Sequence, residues 1–187
     1  PYDLYFSADI SYPEKLEADG LTAGPTKPYA YGRIALWNPK TQLDAAQLRL
    51  EDLTRADITR IAIANPKHAP YGKRAEEALR SKNLWDSVEP KLVYGENIAQ
   101  TAQFVQTGNA QIGIIALSLA LSDALSKQGV YWLIPDTLHS PLKQGFVITK
   151  RAEANQAAKK FSNYIASAEA RKIMVRYGFT LPDDAGQ

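Results

Sequence analysis

Residues 58–79 read ITRIAIANPKHAPYGKRAEEAL and join an apolar run to an amphipathic one through a short loop. The β-branched run 58–64 predicts a buried strand, and the Asn-Pro pair at 65–66 is a turn signal. Pro70 suits the first position of a helix, because that position needs no N–H donor. The stretch therefore predicts a strand, a loop and a helix over 71–82, with the loop at the carboxyl end of the strand.

Two more units of this kind follow along the chain. Residues 91–94 predict a short strand, and Asn97 then suits the N-cap of a helix that runs to 107. Residues 112–116 predict another buried strand, after which Ser118 caps a helix to about residue 126. Short connections between strands and helices are typical of a mostly parallel, doubly wound α/β sheet, whose ligands lie beyond the carboxyl ends of the strands.

The flanking sequence alternates in the same way. Strands are predicted at 3–7, 29–37, 130–134 and 145–149, and helices at 13–20, 153–166 and 168–177. Gly32 interrupts the strand at 29–37, and Gly178 ends the last helix.

Composition excludes several classes of function. The 187 residues carry 22 basic and 20 acidic side chains, a net charge of +2, which gives no field that favours nucleic acid. No stretch approaches the roughly 18 apolar residues that would insert in a membrane. The absence of cysteine and the presence of only two histidines make a metal site held by protein side chains improbable. No nucleophile elbow, phosphate-binding loop or dinucleotide fingerprint is present, so no catalytic residue is assigned.

The loops after the three central strands favour an anion site. Each of these loops opens a helix whose first N–H groups lack partners within the helix, and the aligned peptide dipoles add positive potential there. If these helix ends face one crevice, they present several neutral N–H donors to a ligand. Such donors suit an anion that stays ionised near neutral pH.

Five stretches resemble the molybdate-type periplasmic solute-binding proteins of ABC importers, in the type 2 family. Residues 1–9 (PYDLYFSAD) resemble the family's DVFxSAD motif, and 65–79 (NPKHAPYGKRAEEAL) resemble its (D/N)P-x-x-x-P-x-G-x-x-A-x-x-x-L signature. Residues 97–98, 113–116 and 167–179 continue the likeness in the family's order. The resemblance extends to about residue 181.

The resemblance implies a two-lobed periplasmic solute-binding fold, each lobe a mostly parallel doubly wound sheet. Lobe 2 is expected at 34–145, and residues 1–33 and 146–187 are expected to be the remnant of lobe 1. This first lobe is expected to be incomplete, because two donor segments of the family precede the DVFxSAD stretch and have no counterpart here. The chain would then hold about half of the anion site.

The resemblance also implies the ligand and its donors. The family's donors map onto the backbone amides of Tyr71 and Ile98, with Asn97 and Gly72 as further candidates. The ligand implied is molybdate or tungstate, with molybdenum present only in the oxyanion and no cofactor. The partners implied are the membrane subunits of an ABC importer, for a periplasmic or lipid-anchored extracellular protein that is monomeric at full length. One branch of the family adds a tyrosine hydroxyl from the loop after the third strand; this sequence has Ala116-Leu117 there and resembles the branch without that hydroxyl.

Other interpretations stay open. The same fold serves as the effector-sensing domain of transcription regulators, and an enzyme acting on a phosphorylated or carboxylated substrate could use the same cleft. Within the binding proteins, sulfate, phosphate or an organic anion are alternative ligands. Among single residues, His68 is expected to be structural or exposed, and Lys73 and Arg74 are expected to be solvated, since cations are unfavourable in the first turn of a helix.

Overall fold

The computed structural model describes residues 2–43 and 47–182, which fold into two units. The central unit is Arg33–Pro141, and the flanking unit combines Pro1–Gly32 with Leu142–Gln187. Of the lobe limits expected from the sequence, residue 1 and residues 183–187 lie outside the described residues. The limits themselves, and the incompleteness of the first lobe, stay predictions.

The elements of both units alternate along the chain. The strands are β1 (Leu4–Ser7), β2 (Lys27–Gly32), β3 (Ile34–Pro39), β4 (Ile61–Ala64), β5 (Leu92–Gly95), β6 (Ile112–Ala116), β7 (Gly129–Leu133) and β8 (Leu142–Ile148). The helices are α1 (Ser11–Ala18), α2 (Pro70–Ser81), α3 (Trp85–Val88), α4 (Ile98–Gln106), α5 (Leu117–Ala120), α6 (Asp123–Gln128), α7 (Gln156–Ile165) and α8 (Ala168–Arg176). The predicted α/β class is confirmed.

The central unit is built on a five-stranded sheet in the order β5-β4-β6-β3-β7. Strand β4 pairs in parallel with β5 and β6, and every residue of β4 and β6 is buried. Continuous apolar strands of this kind are typical of parallel pairs that are covered by helices, and α2 and α4 both contact β4. Each fully buried aliphatic side chain stabilises the fold by about 1.5–3 kcal/mol, so this sheet is the rigid base of the unit.

Strand direction corrects one part of the sequence prediction. The flanking unit has a three-stranded sheet in the order β1-β8-β2, and both of its pairs are antiparallel. In the central sheet β3 also pairs antiparallel with β6 and with β7. Parallel pairing requires a crossover, which α2 and α4 supply around β4 and β5. Strand β3 lies between β6 and β7 and runs against both, so the parallel pairing of the central sheet is confined to β4 and its neighbours.

The prediction of one helix capped by Ser118 is wrong. Helix α5 begins at Leu117, directly after β6, with Ala116 in the extended N-cap position. It ends at Ala120, and a second helix begins where the Ser122 hydroxyl accepts a hydrogen bond from the Leu125 amide at 3.4 Å. A serine at the N-cap stabilises a helix start, and Ser122 rather than Ser118 occupies that position, so the second helix begins after Ser122.

Within residues 2–43 and 47–182, none of the helices combines the length and apolar character that a membrane crossing demands.

Candidate anion site

The starts of α2 and α4 lie beside each other at one edge of the central sheet. Strands β4 and β5 run in parallel with Ala64 opposite Gly95, so the loops that follow them leave the sheet at the same end, the carboxyl end of the strands. The Asn65 amide donates to the Gly95 carbonyl at 2.8 Å, and His68 Nε2 lies 3.1 Å from the Glu96 carbonyl oxygen. These two bonds link the loops that carry the helix starts.

Helix α2 begins as the sequence predicts, with Pro70 at its first position after an extended residue, Ala69. The Lys73 amide donates to the Ala69 carbonyl at 3.0 Å, which closes the first turn. Tyr71 and Gly72 therefore occupy the second and third positions, whose N–H groups point out of the helix end. Tyr71 is buried, with 8% of its surface exposed, so its side chain packs within the protein.

Gly72 sets how closely α2 approaches the sheet. A Cβ at this residue would lie 2.0 Å from the Ala64 carbonyl oxygen and 2.5 Å from its carbon, far inside van der Waals contact. Both atoms belong to the backbone of β4 and its exit, so neither can move aside as a flexible side chain would. Only glycine lets the first turn of α2 rest directly on the carboxyl end of β4.

Helix α4 begins with the predicted N-cap. The Asn97 side-chain oxygen accepts a hydrogen bond from the Gln100 amide at 2.9 Å, and its carbonyl accepts one from the Thr101 amide at 3.1 Å. Ile98 and Ala99 are the first two residues of the helix, between Asn97 and the residues that donate to it. In the described part of the chain, neither of them donates to a protein acceptor.

Side chains around the two helix starts bridge the loops. Glu96 donates its amide to Gln100 Oε1 at 2.7 Å, which leaves Ile98 rather than Glu96 as the donor in this loop. The Glu96 carboxylate lies 3.3 Å from His68 Nε2, and these side chains are 74% and 48% exposed. The expectation that His68 is an exposed or structural residue fits this geometry, because it connects the loops from the solvent side.

The amide of Leu117, the first residue of the third helix, has a partner within the protein. It donates to the Arg33 carbonyl at 2.9 Å, within the central unit. Helix α5 is also only four residues long, which gives its peptide dipoles little to add at this end. The loops after β4 and β5 therefore remain as the source of donors.

The prediction that both Lys73 and Arg74 are solvated is wrong for Arg74. Lys73 is exposed, but the Arg74 side chain is only 13% exposed and lies 2.8 Å from the Glu77 carboxylate through its Nη1 atom. Opposite charges three residues apart on a helix favour an ion pair, and the spacing of Arg74 and Glu77 in the sequence meets this condition. Arg74 is thus neutralised along the helix.

The described ranges contain no group of three or more histidine, cysteine, aspartate or glutamate side chains that could hold a metal ion. What the loops present together is a set of backbone N–H groups, which are suited to an anion.

His139, beside α2, is the buried ionisable group of this region. Burial lowers the pKa of its imidazole, and the nearby Arg33 and Arg74 lower it further, against the raising effects of the Ser140 carbonyl and Glu77. The Nδ1 atom lies 2.8 Å from the Ser140 carbonyl oxygen, so it donates there as an N–H. The folded protein therefore favours a neutral imidazole at this position.

We expect stability to fall in mild acid because of His139. The pKa is lower in the folded protein than in the unfolded chain, where it is about 6.5. The unfolded chain binds the extra proton first, so the stability present above pH of about 6.5 is lost as pH falls towards the folded pKa. His139→Asn, which keeps an N–H donor, should reduce this slope in urea unfolding between neutral and mildly acidic pH. An unchanged slope would contradict the assignment, and a His68→Gln variant measures the contribution of the second histidine separately.

Helix starts at the carboxyl ends of parallel strands lie where open α/β sheets bind their ligands. Comparison with known proteins identifies the class of ligand-binding protein. Residues 1–180 match the family described as bacterial extracellular solute-binding protein. The chain belongs to this family.

Individual relatives show which members of this family the chain resembles. The chain is 37% identical over 182 residues to the molybdate-binding protein ModA of Azotobacter vinelandii, covering 97% of this chain and 71% of that protein. It is 33% identical over 179 residues to the putative ABC transporter substrate-binding lipoprotein YvgL of Bacillus subtilis, with coverages of 95% and 67%. The solved structure of the periplasmic molybdate-binding protein of Azotobacter vinelandii superimposes with a TM-score of 0.84 at 30% identity, covering 97% and 79%. The resemblance to molybdate-type solute-binding proteins is confirmed.

Proposed function

We propose that this protein binds a tetrahedral oxyanion, molybdate or tungstate, through the backbone amides of Tyr71 and Ile98. The observation that carries the proposal is the pairing of β4 with β5, which sets the starts of α2 and α4 side by side. Gly72 and Asn97 support the site in different ways. Gly72 seats α2 on the sheet and offers its own amide, and Asn97 caps α4 so that the Ile98 amide points outward.

Neutral donors are the appropriate chemistry for such a ligand. Each helix end carries about half a positive charge and contributes about 0.3–1 kcal/mol to an anion contact. An oxyanion with four oxygens accepts many hydrogen bonds at once. A fixed counter-charge would have to be desolvated before it could bind, whereas a backbone N–H supplies its hydrogen bond without that cost. Two helix ends together therefore contribute about 0.6–2 kcal/mol to anion binding.

The relatives support the choice of ligand and the biological role. Proteins named as molybdate-binding match almost the whole chain, and a relative named as a transporter lipoprotein matches a similar span. We propose that the protein delivers its anion to the membrane subunits of an ABC importer from the periplasm, or from the outer face of the membrane on a lipid anchor. It acts as a binding protein without catalysis.

Selectivity against phosphate tests the proposal. Near neutral pH phosphate keeps at least one proton, and that O–H needs an acceptor which a ring of N–H donors does not provide. The nearby Glu96 carboxylate is already directed to His68. An unpaired buried polar group costs about 1–3 kcal/mol, so we expect phosphate to bind about tenfold to a hundredfold more weakly than molybdate. Calorimetry of the full-length protein with molybdate, tungstate, sulfate and phosphate measures this, and equal affinity for phosphate would reject the proposed donor set.

His68→Ala is expected to weaken molybdate binding by less than about tenfold, or roughly 1.4 kcal/mol. The side chain joins two loops at their exposed surface, but the donors in the proposal are backbone groups that remain in the variant. Calorimetry under the same conditions gives the affinity. If this variant lost binding while it kept its fold, a side chain rather than the amides would be the principal donor.

A further inference from the structure

One face of α2 is bonded along its length to the segment 138–141. The Glu77 carboxylate accepts a hydrogen bond from the Ser140 amide through Oε2 at 2.7 Å. One turn before it, the Arg74 Nη2 atom donates to the Pro141 carbonyl at 3.4 Å. One turn after it, the Ser81 hydroxyl lies 3.0 Å from the Leu138 carbonyl oxygen. Spacings of three and four residues place these side chains on one face of the helix.

Glu77 is the centre of this contact. Its Oε1 atom lies 2.8 Å from Arg74 Nη1, while its Oε2 atom holds the Ser140 amide, so each carboxylate oxygen has a different partner. The Glu77 and Arg74 side chains are only 29% and 13% exposed. Hydrogen bonds to a charged group are about twice as strong as neutral ones, and partial burial limits competition from water.

The segment 138–141 is also where the chain leaves the central unit. Pro141 is the last residue of that unit, and β8 of the flanking unit begins at the next residue, Leu142. The same helix carries the proposed anion donors at its first turn. Glu77 lies six residues beyond Tyr71, about 9 Å along the helix at about 1.5 Å per residue.

We propose that Glu77 is a positioning residue that ties the anion-binding end of α2 to the segment 138–141, so that binding at one stabilises the other. The inference rests on the proposed function and adds to it a coupling between the anion site and the segment where the chain leaves the central unit. An anion held by the first amides of α2 fixes the helix, and a fixed helix holds the Glu77 carboxylate under the Ser140 amide. Coupling of this kind is reciprocal, so loosening the segment weakens anion binding.

Amide hydrogen exchange of the full-length protein tests the inference at Ser140. Glu77→Gln keeps the shape of the side chain but has one carboxamide oxygen to share between two donors. Glu76→Gln is the matched control, since Glu76 bonds Arg80 at 2.7 Å on the same helix. Arg74→Lys is a second variant, which keeps the charge but loses the planar guanidinium between Glu77 and Pro141.

Without ligand, we expect the Ser140 amide to exchange at least about tenfold faster in Glu77→Gln than in the natural protein, and about threefold faster in Arg74→Lys. Glu76→Gln should stay within about twofold. Saturating molybdate should slow exchange at Ser140 by about fivefold or more in the natural protein and in Glu76→Gln, but not in Glu77→Gln. Circular dichroism and a thermal melt confirm that each variant is folded, and Arg74→Lys decides the matter if Glu77→Gln is not.

Two results would overturn the inference. If Glu77→Gln and Glu76→Gln exchange alike without ligand, Glu77 does not hold the segment. If molybdate protects Ser140 equally in both variants, the effect of the anion does not pass through Glu77. Calorimetry of the natural protein separates these outcomes from a failure of the proposed function, because an absence of molybdate binding would reject that function whatever the ligand-free exchange shows.

Discussion

Ile98→Pro is expected to weaken molybdate binding about a hundredfold, equivalent to about 2.8 kcal/mol, while the protein stays folded. Proline removes the N–H that the proposal assigns as a donor. It is tolerated at the first position of a helix, which Ile98 occupies, and Asn97 before it already has the extended backbone that a following proline requires. The affinity is measured by calorimetry of the full-length protein.

Two control variants separate the amide from other effects. Ile98→Ala keeps the N–H but loses a side chain that packs against the core, so we expect it to lower stability while molybdate affinity stays within about threefold. Ala168→Pro makes the same backbone change at the first position of α8, after a similarly extended Ser167. It should bind molybdate normally. Equal loss of affinity in Ile98→Ala and Ile98→Pro would mean that the side chain, not the amide, matters.

Gly72→Ala is expected to lower the free energy of unfolding by about 3 kcal/mol and to abolish tight molybdate binding. The new Cβ would overlap the Ala64 carbonyl at 2.0 Å, so the first turn of α2 must lift away from β4 and carry the donor amides with it. Without that overlap, alanine would stabilise a helix relative to glycine by about 0.5–1 kcal/mol. The sign of the change in urea unfolding therefore decides whether the close contact is present.

Gly20→Ala serves as the comparison for this variant. Gly20 has a φ of +70°, but a Cβ there meets no heavy atom within 4 Å. We expect only the left-handed backbone cost of about 1–2 kcal/mol and unchanged molybdate binding. If Gly72→Ala were as stable as the natural protein, the seating of α2 on the sheet would have to be revised.

Local signals in the sequence are reliable where neighbouring residues determine the structure. Pro70 starts α2 because the first helical position needs no donor, and Asn97 caps α4 through its own side chain. Gly108 ends α4 with a φ of +76°, as a helix-terminating glycine should. These features place the proposed donors Tyr71 and Ile98 at helix starts before any tertiary contact is known.

Features that depend on residues far apart in the sequence are harder to predict. Strand β1 pairs with β8 through residues such as Leu4 and Ile148, and no local pattern gives the direction of that pairing. The hydrogen bond from the Ser140 amide to the Glu77 carboxylate is hidden for the same reason, because Ser140 lies 63 residues further along the chain. Hydrophobic patterning identifies buried segments, but it does not say which segments become neighbours.

The crystal structure of the full-length protein with molybdate tests the central claim most directly, because the anomalous signal of molybdenum locates the anion. We predict that two of its oxygens lie within about 3.2 Å of the backbone nitrogens of Tyr71 and Ile98, in hydrogen-bond geometry. An anion held by lysine or arginine side chains instead, or found away from the starts of α2 and α4, would contradict the account.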